Sequence, residues 1–148
     1  MTARLALISL LALISFLPCR AADDSTESAE YNMLMQVRGM EITSICVMET
    51  AADGSIVGTV VNEFGIKAFD FTFANGKAKV FNVIGPLNKW YIRKVLKGDF
   101  TFLLSNMKKS GDVKKKKRRL TVTPDGDIVM RNDRFKISYT LTPMDSKE

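Results

Sequence analysis

Lys67-Ala68-Phe69-Asp70-Phe71-Thr72-Phe73-Ala74-Asn75-Gly76-Lys77-Ala78-Lys79-Val80-Phe81 is the stretch that decides the fold. Its first half alternates apolar and polar side chains, the period of a half-buried β-strand. Asn75-Gly76 is a two-residue hairpin signal, because both central positions of a type I′ turn need positive φ. That turn fixes a register. Phe73 should face Ala78, Phe71 should face Val80 and Phe69 should face Asn82, on one apolar side. Thr72 with Lys79, and Asp70 with Phe81, should form the other side. A slip of one residue would turn three phenylalanines into water, and burying each is worth roughly 1.5–3 kcal/mol.

Outward from this hairpin the same period continues. Strands are expected near 32–38, 41–50, 55–62, 66–73 and 77–84, with Asp53-Gly54 as a second two-residue turn and Gly65 between the third and fourth strands. After Gly85-Pro86 the period changes. Leu87, Tyr91, Ile92, Val95 and Leu96 recur at helical spacing, with Pro86 suited to a helix start. Gly98 reads as a helix end and Asp99 as the cap of a second helix, whose apolar side is Phe100, Leu103, Leu104 and Met107. Strands resume near 119–123, 127–131 and 134–142. Pro124 to Asp127 joins the first two. Asn132-Asp133 joins the last two, pairing Met130 with Phe135 and Ile128 with Ile137. The expected fold is α+β and mostly antiparallel β: a curved, half-barrel-like sheet with an inserted helical hairpin, formed by one domain over 31–148. Such a sheet closed by helices leaves an apolar hollow suited to a lipid-like ligand.

Composition narrows the function. The chain has 148 residues and no histidine, which removes the Ser-His-Asp triad, the Cys-His dyad and imidazole metal ligands. Two cysteines are too few for a four-thiolate zinc site. No G-x-S-x-G motif is present. The sequence therefore points away from an enzyme, and to no metal or other cofactor. The net charge is +6, but it is concentrated. Residues 108–119 hold eight basic residues and one acid, Asp112, and the rest of the chain is close to neutral. One basic block on a near-neutral protein does not make a nucleic-acid surface, and the block holds no aromatic residue for base stacking.

Residues 1–21 read as an export signal. Arg4 precedes an apolar run from Leu5 to Leu17, too short for a bilayer core of ~30 Å. Two fates of this segment stand side by side. Cleavage after Ala21 would leave Cys46 as the lone cysteine and no possible intramolecular disulfide. Alternatively, Cys19 is lipidated. In either case residues 22–30, polar and acidic, read as a disordered tether. Cys46 lies in the apolar run Ile45-Cys46-Val47-Met48, where a buried thiol is expected.

Two further segments carry a likeness. Asn62-Glu63-Phe64-Gly65-Ile66-Lys67-Ala68-Phe69-Asp70-Phe71, with Leu87-Asn88-Lys89-Trp90-Tyr91-Ile92-Arg93-Lys94-Val95-Leu96 and Asp99-Phe100, resembles envelope lipoproteins of Bacteroidetes-type bacteria with a lipoprotein-carrier (Lol-like) fold. The pattern is an "EFG" turn, a "FDF" strand and a helical pair ending in a leucine-rich "DF" segment, over roughly residues 56–104. The resemblance implies a curved half-barrel, a helical plug and an apolar cavity. It also implies a place in the cell envelope, in the periplasm or lipid-anchored to the outer membrane.

Candidate residues follow. Phe69, Phe71, Phe73 and Val80 could line a cavity for a lipid or for lipoprotein acyl chains, with Trp90 and Tyr91 at its mouth; ordinary core packing is the competing account. Lys114, Lys115, Lys116, Lys117, Arg118 and Arg119 suit an anionic membrane surface; the competing account is a solvated loop guarding a sheet edge. Glu63 and Asp70 lie on opposite sides of a turn and do not suit acid–base catalysis. Asp125-Gly126-Asp127 lacks the EF-hand spacing and reads as a β-turn. The expected function is binding or carrying an acyl chain. The alternative is a structural or interaction protein of the envelope with no small ligand.

Overall fold

The computed structural model describes residues 26–144. The export signal, Cys19 and residues 22–25 lie outside them. Nine strands form a single antiparallel sheet: β1 (Glu27–Val37), β2 (Met40–Thr50), β3 (Ile56–Asn62), β4 (Lys67–Ala74), β5 (Lys77–Phe81), β6 (Gly111–Lys115), β7 (Arg118–Val122), β8 (Ile128–Asn132) and β9 (Ile137–Pro143). The order across the sheet is β5-β4-β3-β2-β1-β9-β8-β7-β6. One helix, α1 (Trp90–Asn106), joins β5 to β6, the two edges. It packs on both β5 and β7. In a flat sheet those strands would lie about 34 Å apart at ~4.8 Å per strand, yet a helix is only about 10–12 Å wide. The sheet is therefore curled, and α1 spans its opening.

The Asn75-Gly76 hairpin has the expected register, with Phe73 opposite Ala78, Phe71 opposite Val80, Thr72 opposite Lys79 and Asp70 opposite Phe81. Both turn residues take positive φ, 53° and 73°. The ladder stops at Phe81, so Phe69 and Asn82 do not pair. Asn82 instead turns to positive φ and donates through its side chain to Asp70 Oδ2 at 2.8 Å.

Several expectations need correction. Residues 27–30 belong to β1 and not to a tether. Asp53-Gly54 is not a two-residue turn. Ala51 N–H donates to Ser55 and Gly54 N–H to Ala51, with only Gly54 at positive φ. The turns at Asn62–Ile66 and Thr123–Asp127 repeat this geometry, with Gly65 and Gly126 in the same role. The β8–β9 connection is four residues, Asp133 to Lys136, and not Asn132-Asp133. Met130 therefore pairs with Tyr139 and Ile128 with Leu141, a shift of four that keeps the same faces inward. The cause is Asn132, whose side-chain oxygen accepts the N–H groups of Arg134 and Phe135. The basic block is not a loop either: β6 and β7 make it a hairpin with Lys116-Lys117 at its tip.

The helical hairpin is the largest correction. Gly85–Leu87 forms a short 3₁₀ turn with Pro86 near its start. From Trp90 a single helix then runs through Gly98 and Asp99 to Asn106. Glycine inside a helix costs about 1 kcal/mol relative to alanine. Here it makes room, since a Cβ on Gly98 would lie 2.5 Å from an Arg118 guanidinium nitrogen. Further along, Thr101 Oγ1 accepts the Ala78 N–H at 3.0 Å, so α1 satisfies a backbone donor of the edge strand β5.

The core fills the concave side. Phe69, Phe71 and Phe100 are buried with Met33, Cys46, Leu120, Met130, Tyr139 and Leu141. Phe100 contacts Phe71 at 4.9 Å and Phe69 at 5.3 Å between ring centroids, and Tyr139 at 6.0 Å. Gly58 lies under the Phe71 ring, where a Cβ would come within 2.2 Å of ring carbon. No cavity separates the FDF strand from the helix at this point.

Candidate functional site

Antiparallel order gives the curled sheet two distinct ends. At the upper end lie the turns at 38–39, 63–66, 116–117 and 133–136, the end of β5 and the start of α1. The lower end has the turns at 51–55, 75–76 and 123–127, the start of β1 and the end of α1.

Just inside the upper end, a polar cluster sits within the apolar interior. Asp99 is 1% exposed. Its Oδ1 accepts Arg118 Nε at 2.9 Å and Asn132 Nδ2 at 2.6 Å. Its Oδ2 accepts the Tyr139 hydroxyl at 2.7 Å. Burying a carboxylate costs several kcal/mol unless charge and hydrogen bonds offset it, and here one cation and two neutral donors do so. Burial, reinforced by the nearby Asp99 charge, raises the Tyr139 pKa well above its ordinary value, so the hydroxyl keeps its proton to donate. These four residues tie α1 to β7, β8 and β9. Asp99, Asn132 and Tyr139 are buried and Arg118 reaches the surface, and the cluster works as a clasp between helix and sheet. Asp99 lies on the same stripe as Leu96, Phe100 and Leu103, and a carboxylate on an apolar stripe was the signal available for it in the sequence.

The six residues expected to line a ligand cavity do not converge. Phe69 and Phe71 are sealed by Phe100. Phe73 and Val80 are half-buried and pack against the same core. Trp90 and Tyr91, edge to face at 5.9 Å, lie exposed at the start of α1. The residual opening is elsewhere. At the lower end a pocket of ≈ 370 Å³ lies between the end of α1 and β1–β3. Ala29, Tyr31, Met48, Ile56 and Met107 give it an apolar lining, and Lys108 and Glu27 stand beside them. Ala29 and Tyr31 fall before the expected start of β1, on the part of the strand that builds one wall.

The basic block divides. Lys114, Lys115, Lys116, Lys117 and Arg119 are exposed, whereas Arg118 turns inward to Asp99. A second depression, ≈ 450 Å³, lies at the upper end among Gln36, Arg38, Arg131, Asp133, Lys136 and Ser138.

Cys46 is a buried free thiol. Burial pushes its pKa from 9.0 up to about 12, so it is an inert core residue. The unfolded chain would ionise Cys46 near 9 while the folded chain holds its proton to about 12. In that window the unfolded state binds fewer protons, so stability falls as pH rises. The melting temperature should drop between pH 9 and pH 12, and Cys46→Ala should flatten the drop. An unchanged slope in that variant would assign it to other groups.

Among the described residues, no group of three or more cysteine or acidic side chains is arranged to hold a metal ion. No described helix is long and apolar enough to cross a membrane. Compared with known proteins, the chain matches no family model, and no curated protein aligns with it significantly.

Proposed function

We propose that the protein is an exported module of the bacterial envelope that holds one acyl chain, of a lipid or a lipoprotein, in the lower pocket. The pocket itself carries this reading. Its ≈ 370 Å³ lies at the small end of the 300–1,000 Å³ typical of ligand sites, which suits a single slender chain better than a whole lipid. Ala29, Met48, Ile56 and Met107 give it an apolar side, and Lys108 stands beside them as a partner for an anionic group. The apolar sequence up to Leu17 and the resemblance to Lol-like envelope lipoproteins support the location.

Native mass spectrometry of protein purified from a lipid-containing host tests the proposal. An added acyl-chain mass is expected in the wild type and not in Ala29→Phe, which fills the pocket. A clean ligand-free mass from the wild type, with lipid offered, overturns it. A second reading, an envelope interaction protein without a small ligand, is favoured by the Phe69–Phe71–Phe100 packing, which leaves the centre closed.

A further inference from the structure

We propose that the upper end of the curled sheet is a docking surface for an anionic lipid bilayer, on which the protein stands end-on. The inference draws on the envelope reading above only for the presence of a membrane.

Apolar exposure is the first observation. Among the described residues, every exposed large hydrophobic side chain except Val57 and Met144 lies at the upper end. Met40, Phe64, Ile66, Trp90, Tyr91 and Phe135 come from four separate segments and still collect there. Phe64 is 79% exposed and Trp90 70%, although burial is the usual state of such rings. Phe64 is held outward by a rigid turn. Asn62 Oδ1 accepts the N–H groups of Phe64 and Ile66 at 3.0 and 2.9 Å, while the Asn62 and Gly65 N–H groups close the loop. Tryptophan and tyrosine favour the boundary between lipid headgroups and acyl chains. Aliphatic Met40 and Ile66 add nothing to base stacking but gain from entering lipid.

Charge is the second observation, and it selects the partner. Lys116 and Lys117 form the tip of the β6–β7 hairpin at this end. Arg134 belongs to the neighbouring β8–β9 turn. Arg38, Arg131 and Lys136 face one depression, with Gln36 and Ser138 as neutral hydrogen-bonding groups and Asp133 at its wall. Three cations around one hollow suit a lipid phosphate. The lower end is more acidic: Glu27, Glu49, Asp53, Asp112, Asp125 and Asp127 lie there against Lys77, Lys108 and Lys109. A negative surface therefore attracts the upper end more strongly than the lower, which orients the molecule before contact.

Trp90 is the single tryptophan of the chain, so its emission reports on this end alone. With vesicles of phosphatidylglycerol and phosphatidylcholine, the protein should co-sediment and its emission should shift to shorter wavelength. Pure phosphatidylcholine should give neither effect, and high salt should reverse both. Lys116→Glu with Lys117→Glu, and separately Phe64→Ser, should each lower vesicle affinity tenfold or more. Both changes lie at exposed loop tips and should leave thermal unfolding unchanged. Ala29→Phe, which blocks the lower pocket, should dock like the wild type, so loss of acyl binding and loss of docking are read separately. Unchanged Trp90 emission with the anionic vesicles, or wild-type affinity in the two surface variants, overturns the proposal.

Discussion

Asp99→Ala should destabilise the protein by about 3–5 kcal/mol, the range for removing one member of a buried, hydrogen-bonded charge pair. The substitution strands three groups. The Arg118 guanidinium, the Asn132 amide and the Tyr139 hydroxyl all lose their acceptor, and Asn132 and Tyr139 are too buried to find water instead. The loss is set against a total of about 5–15 kcal/mol for a typical domain. Arg118→Met should cost less. The Arg118 side chain is 30% exposed, so its interaction with Asp99 is partly screened, and Asp99 keeps two donors. Urea unfolding measures both: the Asp99→Ala midpoint should fall far below that of Arg118→Met, with slopes unchanged. A loss below about 1 kcal/mol in Asp99→Ala would mean that the carboxylate contributes no net stability to the clasp.

That clasp also explains where the sequence was legible and where it was not. The Asn75-Gly76 hairpin could be read because its register depends on two adjacent residues that tolerate positive φ. The β8–β9 register could not, because Asn132 answers to Asp99, which lies 33 positions away. With the amide held there, its oxygen builds a longer turn over Arg134 and Phe135. The slip of four preserved the inward side of both strands, so the pattern of apolar residues could not reveal it. Gly98 misled for a similar reason. Its local tendency is to end a helix, but Arg118, on a strand laid down later, packs where a side chain would be. β6 is not legible, because an edge strand of charged residues, with Val113 as its one large apolar side chain, shows no apolar alternation. The phenylalanine face of β4 was legible as apolar. What fills it comes from α1, so its lack of a cavity is a tertiary fact.

Phe100→Ala should cost about 3–5 kcal/mol, the usual loss on truncating a buried phenylalanine. The ring is fully buried and wedged among Phe69, Phe71 and Tyr139. Its removal takes away the contact that closes the centre of the curled sheet. The neighbours cannot easily collapse into the gap. Phe71 is confined by Gly58 beneath it, and Tyr139 is held through its hydroxyl by Asp99. A persistent apolar cavity is therefore expected, and engineered cavities of this kind stay dry and take up benzene. With the lower pocket blocked by Ala29→Phe, benzene should raise the melting temperature of Phe100→Ala and leave the parent with Phe100 unaffected. The contrast separates the two apolar sites of the protein. The lower pocket exists without mutation, whereas the space beneath α1 exists only when Phe100 is gone. Equal stabilisation of the wild type in a background with Ala29→Phe would show that the centre is already open, and would return Phe69 and Phe71 to the role of cavity lining.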